Sequence, residues 1–319
     1  MSKSTEPLLK KKWKNEDIEN QTGKIFVVTG ANSGLGLYAT KGLAEKGATV
    51  IMAIRNKTKG EAAMYEILSE FPEAKLDLMI LDLASFKSIK EFTKKFNAKY
   101  DKLHGLLNNA GIMQPPFRKT EDGLELQMGV NHFGHYLLTG LLLENIKATP
   151  GARVVNQSSF AHRSVNKINF KTLNEKNGYS RSGVYGQSKL ANLLFTYELQ
   201  RKFKEHNIDA IAVGVHPGYT ATNLQSNGPS VGGFSIWKWL YKITNPLLAQ
   251  DVKKGCLPLL YGAVGPGLEG GEYIGPNGRG GFRGYPKRVN SSKASYDLDL
   301  AKKLWEISEE LTRCKYDFN

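Results

Sequence analysis

The sequence contains little cysteine, no long apolar run and few acidic residues relative to basic ones. Its two cysteines, Cys256 and Cys314, are too few for a disulfide framework or a cysteine-based metal site. The lysine-rich N-terminal segment has no apolar stretch of the length that a signal peptide or a membrane span requires. These absences argue against a disulfide-rich secreted domain and predict a cytoplasmic protein without a membrane span. The 40% of hydrophobic residues in a chain of 319 is enough for a sizeable core.

The relative lack of acidic residues leaves a net charge of +14, from 44 lysines and arginines against 30 aspartates and glutamates. Such an excess is typical of proteins that bind phosphates, nucleic acid or anionic membranes. The basic residues are spread along the whole chain, however, and no RNP motif, zinc finger or basic helix accompanies them. We therefore expect no nucleic-acid partner, and we attribute part of the charge to the attraction of a polyanionic cofactor.

Short apolar runs alternate with helix-like segments along most of the chain. The runs typical of strands are KIFVVTG, ATVIMAIR, KLDLMILDL, LHGLLNNAG, ARVVNQSS, DAIAVGVHPG and GGEYIGP. Between the first six of them we predict helices over 35–46, 57–71, 85–98, 124–147 and 184–206. Because crossover helices join parallel neighbouring strands, this order predicts an α/β fold. We expect a Rossmann-like, doubly wound parallel sheet of about seven strands with helices on both faces.

We predict a flexible leader over 1–22 and a single domain over 23–319. Within that domain, 218–250 is expected to be a substrate lid and 251–319 a C-terminal elaboration that includes a Gly- and Arg-rich loop over 276–288. The aromatic residues in 234–241 would either close over an apolar substrate or touch a membrane surface. We prefer the lid, because ligands of this fold class enter beyond the carboxyl ends of the strands.

A glycine-rich turn, TGANSGLG, lies between the first predicted strand and the first predicted helix. Glycines at such a turn let the main chain approach a pyrophosphate, and the positive end of the following helix attracts its charge. This position predicts a dinucleotide-binding turn. Its glycines are Gly30, Gly34 and Gly36.

The end of the second predicted strand bears on which dinucleotide binds. An NAD site usually carries an acidic residue about twenty residues past the glycines, where it holds the ribose hydroxyls. Here the chain reads AIRNK, with Arg55 and no carboxylate. Arginine can bind a 2′-phosphate through paired, charge-assisted hydrogen bonds. The sequence therefore favours NADP(H) over NAD.

Tyr185 and Lys189 are four residues apart in a segment that reads as helix. At that spacing a phenol and an ammonium group lie on one face of the helix. The simpler alternative is a tyrosine packed in the core with a lysine that reaches solvent. His132 and His135, three apart, are interpreted as packing residues, because no HExxH arrangement or third ligand accompanies them. We therefore predict no metal site.

Several motifs together resemble the short-chain dehydrogenase/reductase family in its classical form. They are TGANSGLG, Asp82 in LDLAS, NNAG at 108–111, Asn131 in VNHFGH, Ser159 in VVNQSS, the YxxxK pair and PGYTAT at 217–222. The chain looks most like the branch that contains retinol dehydrogenases and the WW-domain oxidoreductase. Downstream, GGEYIGP and RGYPKRV are similar to bacterial-type members.

The resemblance implies a catalytic set of Asn131, Ser159, Tyr185 and Lys189. Tyr185 would be the general acid in carbonyl reduction or the base in alcohol oxidation. Lys189, together with the positive nicotinamide of the oxidised cofactor, would lower the Tyr185 pKa, and it would also hold the nicotinamide ribose. Ser159, preferred over the adjacent Ser158, would donate to the substrate oxygen. Asn131 would place a water that passes protons to Lys189.

The resemblance also implies further cofactor contacts and a reaction. The implied contacts in the turn are Gly30, Ser33, Gly34, Leu35 and Gly36, and Asp82 and Leu83 would contact adenine. The others are Asn109, Ala110, Gly111, Pro217, Gly218 and Thr222, together with Tyr185 and Lys189. The implied reaction is hydride transfer between nicotinamide and a fairly apolar carbonyl or alcohol. Two alternatives stay open: a catalytically silent protein that senses NADPH, and a reductase of carbon–carbon double bonds. In relatives the helices predicted over 124–147 and 184–206 form a homodimer surface.

Overall fold

The protein is built around one eight-stranded sheet. The computed structural model describes residues 12–219 and 250–319. The strand order is β3-β2-β1-β4-β5-β6-β7-β8. The strands are β1 Ile25–Thr29, β2 Thr49–Ile54, β3 Lys75–Ile80, β4 Gly105–Asn108, β5 Ala152–Gln157, β6 Ala210–Val215, β7 Tyr273–Pro276 and β8 Pro286–Arg288.

Helices connect these strands and cover the sheet. In the described parts of the chain the α-helices are α1 Gly34–Glu45, α2 Lys57–Glu70, α3 Phe86–Asn97, α4 Leu126–Met128, α5 Gly134–Leu141, α6 Leu143–Lys147, α7 Arg181–Glu205, α8 Val252–Gly255, α9 Leu257–Val264 and α10 Leu298–Thr312. A π-helical turn, Gly129–Phe133, separates α4 from α5. Short 3-10 turns occupy Asn15–Asp17, Phe160–Ser164, Phe170–Thr172, Arg279–Gly281 and Lys293–Tyr296.

Both faces of the sheet are buried, as a doubly wound sheet requires. In β1, Val27 packs into the apolar cluster on one face, whereas its neighbours Phe26 and Val28 pack into the cluster on the other. This alternation follows from the two-residue repeat of a strand. The Rossmann-like α/β prediction is therefore confirmed.

The sheet has one strand more than the predicted seven. β8 pairs antiparallel with β7, with Ile274 opposite Arg288 and Pro276 opposite Pro286. This strand lies in the segment interpreted as a Gly- and Arg-rich loop over 276–288. The sequence gives little sign of it, because three residues that begin with proline show no alternating apolar pattern.

The segment predicted as one helix over 124–147 is interrupted twice. The π-helical turn shifts the main-chain bonding, so that Gly134 N–H donates to the oxygen of Gly129. A second break falls at Leu142, whose φ of −103° and ψ of 8° are not helical. Apolar periodicity alone does not reveal these breaks, because the side chains on either side are still buried.

Part of the predicted flexible leader packs against the core. Trp13 is only 3% exposed, and its ring meets Tyr261 of α9 edge-on at 5.0 Å between centroids. Ile18 is also buried, and Gln21 N–H donates to the oxygen of Lys46. These residues of the predicted leader therefore pack against the domain, because burial of a large aromatic ring is favourable in spite of the surrounding lysines.

Candidate functional site

Tyr185 and Lys189 lie together on α7. Ser180 caps this helix by accepting the N–H of Gly183, so α7 begins at Arg181, three residues earlier than predicted. Tyr185 is 6% exposed and Lys189 2% exposed. Lys189 Nζ is 5.7 Å from the centre of the Tyr185 ring. The structure therefore contradicts the simpler alternative of a lysine that reaches solvent.

The two neighbouring serines that follow β5 point in different directions. Ser158 Oγ donates to the main-chain oxygen of Lys189 over 2.9 Å, which ties it to the backbone of α7. The Ser159 side chain is near enough to the Tyr185 phenol to lower its pKa, and Ser159 Oγ accepts the N–H of Ala161. Ser159 is therefore the hydroxyl beside the phenol.

Asn131 sits in the π-helical turn, and its side chain is fully engaged. Its Oδ1 accepts the N–H of Ile112 over 2.8 Å, while Nδ2 donates to the Ile112 oxygen and to Ser188 Oγ. A Cβ added at Gly111 would lie 3.1 Å from Asn131 Oδ1 and 3.4 Å from Lys189 Nζ. Gly111 thus lets the main chain pass close to both side chains.

Burial opposes the charged forms of both Tyr185 and Lys189. Burial raises the pKa of Tyr185 to about 12, although the Ser159 side chain lowers it. Burial also lowers the pKa of Lys189 to about 8. The lowering of the Tyr185 pKa that we expect from Lys189 together with an oxidised nicotinamide stays a prediction.

The glycine-rich turn after β1 has the backbone shape that a phosphate cradle needs. Gly30 and Gly34 adopt φ values of +69° and +54°, which favour glycine. A Cβ at Gly36 would lie 2.3 Å from the Gly30 oxygen, so the turn closes only with glycine there. Ser33, the N-cap of α1, makes no side-chain hydrogen bond to the first turn. The amides of Gly34, Leu35 and Gly36 therefore have no side-chain cap, and the turn fits a bound pyrophosphate.

The chain after β4 lies beside this turn. Asn109 and Ala110 donate their N–H groups to Thr29 Oγ1 over 3.0 and 2.9 Å. Asn109 Nδ2 also donates to the Thr29 oxygen. The structure thus brings Asn109, Ala110 and Gly111 between the glycine-rich turn and Lys189.

The ends of β2 and β3 bring Arg55 near Asp82 and Leu83. Ile54 pairs with Ile80, and Leu81 N–H donates to the Ile54 oxygen, so the residues that follow are neighbours. Arg55 is exposed, while Asp82 Oδ1 accepts the N–H of Ala84. No carboxylate follows β2 directly, since Arg55 is followed by Asn56, the residue that caps α2.

Pro217 and Gly218 follow β6 at the same edge of the sheet. Gly218 has a φ of +70°, and the Pro217 oxygen accepts a hydrogen bond from Gln250 Nε2. Thr222, the aromatic residues in 234–241 and most of the predicted lid lie outside the described residues.

The site therefore combines a phosphate-cradle turn, a buried Tyr–Lys pair and a serine hydroxyl at the carboxyl edge of a parallel sheet. The family model described as short chain dehydrogenase matches residues 24–230. The chain belongs to the short chain dehydrogenase family. It is accordingly an oxidoreductase that acts on CH–OH or C=O groups.

Named relatives and one solved structure extend this likeness over most of the short chain dehydrogenase. Retinol dehydrogenase 12 of Mus musculus is 38% identical over 297 residues, which cover 92% of this chain and 88% of that protein. The chloroplastic short-chain dehydrogenase TIC 32 B of Brassica napus is 36% identical over 294 residues, covering 89% and 87%. The crystal structure of an uncharacterised protein from Mycobacterium paratuberculosis matches with a TM-score of 0.78 and 36% identity, covering 96% of this chain and 100% of that one. The predicted resemblance to the retinol dehydrogenase branch is confirmed.

Two polar residues of this short chain dehydrogenase were missed as parts of the site. Thr29 holds the chain after β4, and its position directly before the first glycine of the turn was the available signal. His135 Nε2 lies 3.0 Å from Thr29 Oγ1, and His135 Nδ1 lies 3.1 Å from the main-chain oxygen of Asn131. The sequence analysis weighed His135 as a metal ligand, rejected that role and interpreted it as a packing residue.

Within residues 12–219 and 250–319, no three side chains of histidine, cysteine, aspartate or glutamate come together as metal ligands. None of the helices in the same ranges combines the length and apolar character that crossing a bilayer requires.

Proposed function

We propose that this short chain dehydrogenase transfers a hydride between NADP(H) and a fairly apolar carbonyl or alcohol, with Tyr185 as the proton donor or acceptor. The observation that carries the proposal is the Ser159 side chain beside the Tyr185 phenol, one helical turn from the buried amine of Lys189. A phenol, a second hydroxyl and a cation around one point are the groups that a reacting carbonyl oxygen needs.

A bound nicotinamide would supply the hydride in reduction and accept it in oxidation. In reduction Tyr185 would give its hydroxyl proton to the carbonyl oxygen. Ser159 donates a hydrogen bond to the same oxygen as negative charge develops on it. Lys189 Nζ, whose contact within the protein is the Gln157 oxygen at 3.2 Å, has further N–H groups to offer to ribose hydroxyls.

The protonation state of Tyr185 favours reduction. With a pKa raised to about 12, the phenol is protonated at neutral pH and can give its proton to a carbonyl oxygen. Alcohol oxidation would require the phenolate, which burial disfavours.

Arg55 is the basis for proposing NADP(H) rather than NAD. It is exposed directly after β2, beside the residues that would contact adenine. A guanidinium there can pair with a 2′-phosphate, and a carboxylate that would hold the ribose hydroxyls of NAD is absent from the end of β2.

An apolar rim supports an apolar substrate. Phe160 directly follows Ser159, and its ring is 5.2 Å from that of Phe282, which is 53% exposed. Relatives of similar identity carry the names retinol dehydrogenase and short-chain dehydrogenase, so the names do not single out one substrate.

The location and assembly of the chain are further parts of the proposal. Cys256 and Cys314 are both buried free thiols, which suits the reducing cytoplasm. Peripheral membrane contact through 234–241 stays an alternative to the lid. Trp305 of α10 packs on Phe195 of α7 and Tyr136 of α5, so the chain itself covers part of the helix face that the resemblance assigned to a homodimer.

The test is nicotinamide absorbance during steady-state turnover with a panel of apolar aldehydes, ketones and secondary alcohols. Tyr185→Phe keeps the ring and removes the proton donor, so we expect turnover to be abolished while NADPH still binds. Product analysis separates carbonyl reduction from reduction of a carbon–carbon double bond. NADPH binding without turnover on any substrate would favour the silent sensor, and unchanged turnover of Tyr185→Phe would remove Tyr185 from the reaction.

A further inference from the structure

A buried series of hydrogen bonds joins the chain after β4 to the π-helical turn. The N–H groups of Asn109 and Ala110 both donate to Thr29 Oγ1. Thr29 Oγ1 lies 3.0 Å from His135 Nε2, and His135 Nδ1 lies 3.1 Å from the main-chain oxygen of Asn131. His135 is 2% exposed, and Thr29 and Asn131 are fully buried.

The direction of these hydrogen bonds follows from the group at their end. The Asn131 carbonyl can only accept, so His135 carries its proton on Nδ1 and presents a lone pair on Nε2. Thr29 then donates to Nε2 and accepts the N–H groups of Asn109 and Ala110 with its two lone pairs. The other acceptor near the threonine proton, the Leu107 oxygen, is farther away at 3.2 Å, and its use would leave Nε2 without a proton to accept.

The His135 ring is neutral in this arrangement. Burial lowers its pKa to about 4, the bond to Asn131 raises it, and the charge of Lys189 lowers it further. A neutral ring is required, because an imidazolium would present two donors and could not accept from Thr29.

Asn131 holds the other end of the same segment. Its side chain makes two hydrogen bonds to the main chain of Ile112, whereas Asn109 and Ala110 are held through Thr29 and His135. Asn131 in the π-helical turn holds one end of segment 109–112, and His135, two residues after that turn, holds the other end through Thr29. This segment is the one that passes Lys189 at Gly111.

We propose that His135 is a positioning residue, which holds segment 109–112 and the π-helical turn in register through Thr29 and the Asn131 carbonyl. The inference deepens the proposed function and rests on it. Its consequence is that the cofactor-binding turn and the proton-transfer groups share one buried support. Loss of His135 would disturb nicotinamide binding and turnover together.

The kinetic test compares His135→Leu with His132→Leu. His132 is a matched control: it is 1% exposed, its Nε2 pairs with Ser308 of α10, and its Nδ1 has no hydrogen-bond partner among the described residues. We expect both variants to lose thermal stability. Only His135→Leu should lower kcat, by up to roughly a hundredfold, and raise the Kd for NADPH.

A double-mutant cycle with Thr29→Val tests the path. If the effect runs through Thr29, His135→Leu should cost little further kcat in the Thr29→Val background. Additive losses, or equal losses of kcat in the His135 and His132 variants, would show that His135 has no positioning role.

A second measurement does not depend on activity. In the wild-type protein, ¹⁵N NMR of His135 should show a neutral ring protonated on Nδ1 at neutral pH. A ring protonated on Nε2, or on both nitrogens, would overturn the proposal. If the protein turns over no substrate but His135 shows the Nδ1–H form, the proposed activity fails while the hydrogen-bonded arrangement stands.

Discussion

Tyr185 and Lys189 share one turn of α7, and burial disfavours the charge of both side chains. The phenol is held protonated, and the amine has a pKa close to the physiological range. A neutral phenol is ready to donate a proton, whereas the amine can lose its charge through a modest rise in pH. The protonation states of these two residues therefore bear on the pH dependence of the reaction.

The first prediction concerns pH. Lys189 is an ammonium below its pKa of about 8 and neutral above it, so kcat/KM for carbonyl reduction should fall as the pH rises through that value. The measurement is a pH profile with a substrate that has no titratable group. Lys189→Arg keeps its charge in this range, so any residual activity should not fall there. A flat wild-type profile well above pH 8 would contradict the prediction.

A second prediction concerns cofactor choice. Arg55→Ala should raise the Kd for NADPH by about tenfold to a hundredfold, because charge-assisted hydrogen bonds to the 2′-phosphate are lost. The Kd for NADH should not change. The control is Lys57→Ala, which removes a nearby exposed lysine that pairs with Glu61 at 3.7 Å. Equal weakening of NADPH and NADH binding by Arg55→Ala would argue against the 2′-phosphate contact.

The π-helical turn shows how the shape of an element positions catalytic groups. It places Asn131 against Ile112 and His135 against Thr29. A π-helical turn contains one residue more than an α-helical turn. In an uninterrupted α-helix, the residues after this point would therefore face a different direction relative to those before it. The interruption, rather than the helix, therefore brings these two contacts about.

Gly134→Ala tests the packing of this element. An added Cβ would lie 2.6 Å from the Leu83 oxygen, so α5 or the chain after β3 must move. We expect the free energy of unfolding to fall by about 1–3 kcal/mol, and NADPH to bind more weakly because Leu83 is a predicted adenine contact. Denaturant unfolding and NADPH titration measure the two effects. Gly183→Ala is the comparison, since its Cβ would meet nothing closer than Ser180 Oγ at 3.1 Å, and a similar loss there would argue against the Leu83 contact as the cause.

Helix α10 and the residues that follow it pack on α5 and α7. The ring centres of Trp305 in α10 and Tyr136 are 5.2 Å apart. The Tyr316 hydroxyl donates to the main-chain oxygen of Tyr136 over 2.6 Å. Ser308 reaches His132 in the π-helical turn. The last residues of the chain therefore contact the element that carries Asn131.

Removal of the central ring of this contact should destabilise the whole molecule. We expect Trp305→Ala to lower the free energy of unfolding by about 3–5 kcal/mol, because Trp305 is buried among other rings. Leu298→Ala on the same helix removes a side chain that is 60% exposed and should have little effect. Chemical denaturation of both variants checks the difference, and similar stabilities of the two would mean that α10 contributes little to folding.

The amino-acid sequence determined the order of strands and helices, because strand runs, glycine turns and the four-residue spacing of Tyr185 and Lys189 are local patterns. It also supplied the composition of the phosphate turn. Tertiary structure determined what depends on contacts between distant residues: the short antiparallel β8, the packing of Trp13, the breaks in 124–147 and the different hydrogen-bond partners of Ser158 and Ser159. The pKa of Tyr185 belongs to the same group, since burial by the surrounding chain, which no local pattern encodes, raises it.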